Sequence, residues 1–228
     1  MKERIDFIIF GGQSNMQGQS ERLSNCDVIE NAYEYRYLEN KLTPLCNPVG
    51  ENIKIDRTPG IAHQKGDDGQ KWLREHVTGG SASGHTNMVP EFCKSYHQMT
   101  GIKVVAVHAA KGSTQIDYWL PGTFGYQMII DKTKAAIEKA TSMYEIGRIF
   151  FVWLQGESDA LAGIKKEEYM EKLEDMKEDL EELTEKKRGW RELVRSCLVE
   201  LLVRVSRYMD SAIKEDFSFS AKEWRGTS

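Results

Sequence analysis

Apolar runs that alternate with helical segments predict an α/β protein, a single domain in which helices cover both faces of a mostly parallel sheet. Two observations carry this. Runs at residues 4–10, 102–108 and 148–154 are short and rich in β-branched or aromatic residues, as strands buried on both faces should be. Between and after them lie segments whose apolar residues recur three and four apart, the spacing of one helix face. At 228 residues the chain is long enough for one well-buried domain and short for two.

The first run leads directly into Gly-Gly-Gln-Ser-Asn-Met-Gln-Gly at 11–18, a strand ending in a glycine turn that carries a serine. Tyr33, Tyr35 and Tyr37 alternate, which predicts a strand over 33–38 with aromatics on one face. Residues 41–88 hold Pro44, Pro48, Pro59 and a Gly/Ser/Asp/Asn-rich stretch, and read as one long binding loop carrying His63, His76 and His85. Phe92, Cys93, Tyr96 and Met99 then recur at helical spacing, with Gly101 as the stop and His97 away from the strand edge. The strand at 102–108 follows. A second helix is expected after Trp119 and Pro121, its face formed by Ile129, Ile130, Ile137, Ala140 and Tyr144, leading into the strand at 148–154. Tyr169, Leu173, Met176, Leu180 and Leu183 step by four, three, four and three, an amphipathic helix whose Lys and Glu face is solvated. Residues 190–205 are either a last helix or a return containing a strand, the periodicity leaning weakly toward helix.

Parallel strands bring their carboxyl ends to one edge, where ligands bind in open α/β sheets. Three such ends deliver glycine and polar side chains: Ser14 after the first, Lys111-Gly112-Ser113-Thr114 after 102–108, and Gln155-Gly156-Glu157-Ser158-Asp159 after 148–154. Acyl transfer needs a nucleophile with donors aimed at the developing oxyanion. The Ser14 hydroxyl, the Ser14 and Gly112 N–H groups and the Gln155 amide have the right chemistry, provided they converge.

Gly-Gln-Ser-Asn-Met at 12–16, Ala-Lys-Gly-Ser-Thr at 110–114 with Trp119 following, and Gln-Gly-Glu-Ser-Asp at 155–159 resemble the blocks of the sialate O-acetylesterase and acetylxylan-esterase-like branch of the SGNH hydrolase superfamily. Their order and separation fit over residues 4–185. The resemblance implies a flavodoxin-like three-layer α/β/α sandwich and removal of acetyl groups from sugar hydroxyls through a seryl acyl-enzyme, with no metal or organic cofactor. It implies Ser14 as nucleophile and first oxyanion donor, Gly112 as second donor and Gln155 as third. Gln13, Asn15 and Trp119 are expected at the substrate, Trp119 as a stacking platform. Glu157 and Asp159 either orient their loop or contact sugar.

One part of the pattern is missing. Such hydrolases end in Asp-x-x-His, whose imidazole takes the serine proton, and this chain has no histidine after His108. In the tail Glu215-Asp216-Phe217-Ser218-Phe219-Ser220, the two registers place Ser218 or Phe219 at the histidine position. Residues 186–228 are accordingly read as a divergent or shortened terminus. Either His63, His76, His85 or His108 replaces the base, or the fold is retained as a catalytically silent protein that binds an acetylated sugar. Weak activity is expected.

Composition narrows the partners. Net charge is −4, which offers no basic footprint for nucleic acid or an anionic membrane. No segment is apolar over a bilayer-spanning length. Cys26, Cys46, Cys93 and Cys197 lack metal-type spacing and read as reduced thiols, and a cytoplasmic location is expected. The expected partner is a small or oligosaccharide acetyl ester; oligomeric state is not legible.

Overall fold

A computed structural model describes residues 2–18, 27–37, 39–50, 86–186 and 199–203. The expectations for Cys26, His63, His76, His85, Cys197 and the tail at 215–222 lie outside the described residues. In chain order the elements are β1 (Arg4–Gly12), α1 (Ser14–Gln17), β2 (Ile29–Arg36), β3 (Lys41–Leu45), α2 (Val89–Thr100), β4 (Lys103–Ala110), a 3₁₀ turn (Ile116–Trp119), α3 (Phe124–Thr141), β5 (Glu145–Leu154), α4 (Glu157–Leu161), α5 (Lys166–Lys186) and β6 (Val199–Val203). They form one six-stranded sheet in the order β3-β2-β4-β1-β5-β6. All neighbours are parallel except β3, which runs antiparallel to β2. The protein is thus of the α/β class with a mostly parallel sheet. Counting the parallel strands alone, their order is 2-3-1-4-5, one exchange of neighbours from the 2-1-3-4-5 of flavodoxin-like sheets.

Strand periodicity sorts the core into two layers. Ile5, Phe7 and Ile9 of β1, Val105, Val107 and Ala109 of β4, and Ile149, Phe151 and Trp153 of β5 pack on α3 and on Tyr169, Leu173, Met176 and Leu180 of α5. The alternate residues Ile8, Phe10, Val104, Ala106, Phe150 and Val152 pack on Val89, Cys93 and Tyr96 of α2, with Met16 of α1 in the same layer. Full burial of a side chain of this size contributes roughly 1.5–3 kcal/mol, so the double-faced strands dominate the stability of the domain.

One residue of β1 breaks its apolar pattern. Asp6 is 0% exposed, and a buried carboxylate needs donors. It accepts from the Arg148 N–H at 2.8 Å, Arg148 Nε at 3.2 Å, Arg4 Nε at 3.1 Å and the Tyr96 hydroxyl at 2.5 Å. The pairing of β1 with β5 shifts register between Ile5 and Phe7, around this residue. Gly147 leaves the room, since a Cβ there would lie 1.9 Å from Asp6 Oδ1.

The structure differs from the sequence reading at several elements. Residues 41–45 form an edge strand, not the start of the long loop; Pro44 is tolerated there because an edge position does not need its missing N–H. Residues 199–203 form the strand β6 at the opposite edge, where the periodicity leaned toward helix. Met99 is 75% exposed, because the buried face of α2 is Val89, Pro90, Cys93 and Tyr96. Gly101 ends that helix as expected, in the left-handed region at φ 68° with its N–H on the His97 carbonyl. Tyr144 lies beyond the end of α3 at Thr141 and packs, half-buried, against the same core.

Candidate active site

The register of the sheet brings the three motifs together. Gly12 pairs with Ala110 of β4 on one side and with Leu154 of β5 on the other. The three strands therefore end level, and Gln13-Ser14, Lys111-Gly112 and Gln155 emerge side by side. Backbone bonds carry the sheet one step further: Gln13 N–H donates to Leu154 O at 3.1 Å and Lys111 N–H to Gly12 O at 2.9 Å. Gly12 has φ 140°, and a Cβ there would lie 2.0 Å from Leu154 O, so only glycine allows the turn that presents Ser14. Elements after β1 and β4 leave to opposite faces, α1 toward the α2 layer and α3 toward the other. The helix after β5 packs in the same layer as α3, so β1 is flanked on both sides by strands whose following elements leave to the opposite face, the arrangement at which α/β sheets bind ligands.

Ser14 is the first residue of α1 and is half-buried; Gln13, not Ser14, takes the N-cap position. The turn is anchored from below by Met16, which is fully buried, and by His108, whose Nε2 lies 3.0 Å from Met16 O. On the β4 side Gly112 faces the serine: a Cβ on Gly112 would lie 3.6 Å from Ser14 Cβ, so the glycine leaves a small space beside it. Its N–H donates to Gln17 Oε1 at 2.7 Å. Ser113, next in that loop, is held at φ 60°, a conformation that non-glycine residues adopt seldom and chiefly near functional sites.

On the β5 side the side chains turn inward. Gln155 is 0% exposed, and its amide nitrogen donates to Thr114 O at 2.9 Å, to Gln13 Oε1 at 3.1 Å and to Asp159 Oδ2. Its Oε1 accepts from the Tyr169 hydroxyl at 2.8 Å, and that hydroxyl accepts from Trp153 Nε1 at 3.1 Å. Gln13 Oε1 also receives the Gly156 and Ser158 N–H groups at 3.4 and 3.3 Å. Both oxygens of Asp159 accept from the Ile116 N–H, at 3.0 and 3.1 Å. Burial pushes the Asp159 carboxyl up, against the lowering effect of these hydrogen bonds.

Several site expectations are corrected by this geometry. Trp119 is fully buried, edge-on to Trp153, with its N–H on Thr114 Oγ1 at 2.9 Å, so it is a core residue and offers no stacking platform. Gln13, 3% exposed, ties the turn to the β5 loop and does not face substrate. Gln155 spends its amide hydrogens on protein acceptors and has none aimed at a point beside Ser14. Of the two readings of Asp159, orienting the loop is the one its contacts fit. Asn15 is exposed and donates to Glu157 Oε1, while Glu157 Oε2 is enclosed without a partner.

Neither described histidine reaches Ser14 as a base. His97 sits with Nδ1 2.9 Å from Ile102 O and Nε2 3.1 Å from Asn31 Nδ2. At His108 the Met16 carbonyl can only accept, so Nε2 carries the proton and the lone pair is on Nδ1, which is buried and unpartnered. Burial lowers the His108 pKa to about 4, keeping the ring neutral. Sequence reading missed Gln17 and Tyr169 as site groups. Gln17 was readable as one helical turn past Ser14, whereas Tyr169 gave only the signal of an apolar helix face. Among the described residues no group of three or more His, Cys, Asp or Glu side chains is placed to hold a metal ion, and no helix is long and apolar enough to cross a membrane.

A solved structure of a protein from Arabidopsis thaliana matches with a TM-score of 0.56 at 17% identity, covering 88% of this chain and 74% of that one, and so shares the fold. A carbohydrate acetylesterase from Xanthomonas citri matches with a TM-score of 0.32 at 13% identity, over 82% of this chain and 38% of that one. A curated relative, a vacuolar amino acid transporter of Saccharomyces cerevisiae, is 38% identical over 52 residues, which span 22% of this chain and 12% of the transporter. The model of the family described as carbohydrate esterase, sialic acid-specific acetylesterase matches residues 4–188. With its three motif loops level on one sheet edge and that match over most of its length, the chain belongs to this family of carbohydrate esterases.

Proposed function

We propose that the protein removes O-acetyl groups from carbohydrates, of the sialate or xylan ester type, through an acetyl-Ser14 intermediate. The observation that carries this reading is the level ending of β1, β4 and β5, which brings the Ser14 and Gly112 turns side by side on one sheet edge. The serine oxygen attacks the acetyl carbonyl, the sugar hydroxyl leaves with the proton, and water then releases acetate and regenerates the serine. The N–H groups of Ser14 and Gly112 receive the oxyanion. Gln155 acts behind them as a positioning residue, fixing Gln13 and the loop through Thr114. Glu157 holds Asn15 and with it the face of the nucleophile turn.

Turnover is slow in this reading, because among the described residues no general base contacts the serine: His97 is committed to Ile102 O, and His108 gives its Nε2–H to Met16 O. That commitment also favours a second reading, a silent protein that holds an acetylated sugar. One comparison separates them. An esterase hydrolyses an aryl acetate and an O-acetylated sugar, and Ser14→Ala lowers the rate by about a thousandfold or to background. A binder shows saturable calorimetric binding of the acetylated sugar with no Ser14-dependent hydrolysis.

A further inference from the structure

We infer that Gln17 gates the oxyanion position: in the free protein its side-chain carbonyl occupies the acceptor place on the Gly112 N–H that an ester oxygen must take. The inference rests on the esterase reading for its chemistry and on the geometry for its placement. Gln17 Oε1 lies 2.7 Å from Gly112 N, at the short end of amide hydrogen bonds. A Cβ on Gly112 would meet that same oxygen at 3.0 Å and Ser14 Cβ at 3.6 Å, so the amide oxygen and the serine side chain flank one small space. Gln17 comes to it because it is the last residue of α1, with its N–H on Gln13 O at 2.8 Å and its carbonyl accepting from Asn87 Nδ2 at 3.3 Å.

An acceptor in that place is chemically a stand-in for substrate. A neutral ester carbonyl gains little by displacing a neutral amide carbonyl, since one hydrogen bond replaces another. A charged oxygen gains more, because hydrogen bonds to ionised acceptors are roughly twice as strong. The cost of displacing Gln17 is the same for any acceptor that takes its place, so it lowers affinity for ester, oxyanion and acetate alike, and a charged oxygen has the larger gain to set against it. It acts as a gate against every ligand that brings an acceptor to Gly112, acetate among them. Replacing it with alanine leaves the N–H to water, and the net value of one such bond corresponds to a change of about fivefold in affinity.

The test uses the full chain, ¹⁵N-glycine labelling to follow the Gly112 amide, and sodium acetate as the probe. In Gln17→Ala the Gly112 resonance shifts relative to wild type and acetate binds about fivefold tighter. In Gln17→Glu, whose carboxylate stays on the N–H, acetate binds at least about fivefold weaker. In parallel, kcat/KM for an aryl acetate rises about fivefold in Gln17→Ala, mostly through KM, and the gain vanishes when Ser14→Ala is added. An unmoved Gly112 resonance, acetate affinity that is unchanged or weaker in Gln17→Ala, or no acetate response at Gly112 in that variant overturns the gate. Ser14-dependent hydrolysis that falls in Gln17→Ala does the same while leaving the esterase reading in place; Gln17 would then support the loop. Tighter acetate binding with no hydrolysis by any variant sustains the gate and overturns the esterase reading.

Discussion

The two flanks of Ser14 are built on opposite principles. Toward β5, Gln13, Gln155 and Asp159 are each no more than 3% exposed and are hydrogen-bonded to one another, to Thr114 and Ile116, and to Tyr169. Toward β4, the serine meets a glycine whose N–H is held by the tip of one half-buried glutamine. A buried polar network is costly to disturb, since every group left unpaired bears its full desolvation penalty. A hydrogen bond made by a half-buried side chain is replaced more readily. The β5 flank therefore fixes where the turn after β1 sits, and the β4 flank is the side proposed to receive a ligand.

Variants on the two flanks should separate stability from activity. The largest stability effect is expected at Gln155→Leu, which removes the amide donor to Asp159, Gln13 and the Thr114 carbonyl and the side-chain acceptor of the Tyr169 hydroxyl; urea unfolding should show a loss of about 3 kcal/mol. A loss under about 0.5 kcal/mol would mean that the network is solvated and the contrast between flanks is false.

His108 lies under the nucleophile turn and gives the next effect, one that depends on pH. The unfolded imidazole takes a proton near its ordinary 6.5, the folded one not until about 4. Between those values the unfolded chain binds more protons, so stability falls as pH falls through that window and levels off below the folded value. Its share is about 2 kcal/mol between roughly pH 7.5 and pH 5. His108→Gln keeps a donor for the Met16 carbonyl and cannot titrate, so its stability should lack this share of the pH slope. A pH–rate profile of the wild type governed by a group with a pKa in that window and abolished in His108→Gln would instead make His108 the base.

The smallest stability effect belongs to the β4 flank. Gly112→Ala should change stability by less than about 0.5 kcal/mol, because the added methyl meets a flexible glutamine tip and makes ordinary contact with Ser14. Ester hydrolysis should nonetheless fall roughly tenfold or more, since the methyl intrudes where the reacting carbonyl must align. Equal losses at Gly112 and Gln155 in both measurements would erase the distinction.

Much of this architecture was readable because strands buried on both faces leave a plain apolar signature, and their polar ends mark one edge of a parallel sheet. The nearness of Ser14 and Gly112 follows from that logic together with the register. The inward or outward turn of side chains beyond the strand ends does not. Trp119 stands among Asp117, Tyr118 and Pro121 with no period to assign it to the core, and only the packing of Trp153 beneath it makes the position buried. Gln155 and Asp159 are residue types common at sugar sites, and their commitment to the Ile116 N–H and Tyr169 hydroxyl depends on segments distant in the chain. Edge strands such as β3 and β6 lack a second neighbour, so their sequences carry a weaker signal than β1, β4 or β5.

Acyl transfer at Ser14 on this sheet edge is open to direct observation. Brief mixing of the full chain with an aryl acetate, an acid quench and peptide mass mapping test it directly. An acetyl group is expected on the peptide carrying Ser14, lost on longer incubation as acetate is released, and absent in Ser14→Ala. Ester hydrolysis that leaves Ser14 unmodified and persists in Ser14→Ala would contradict it.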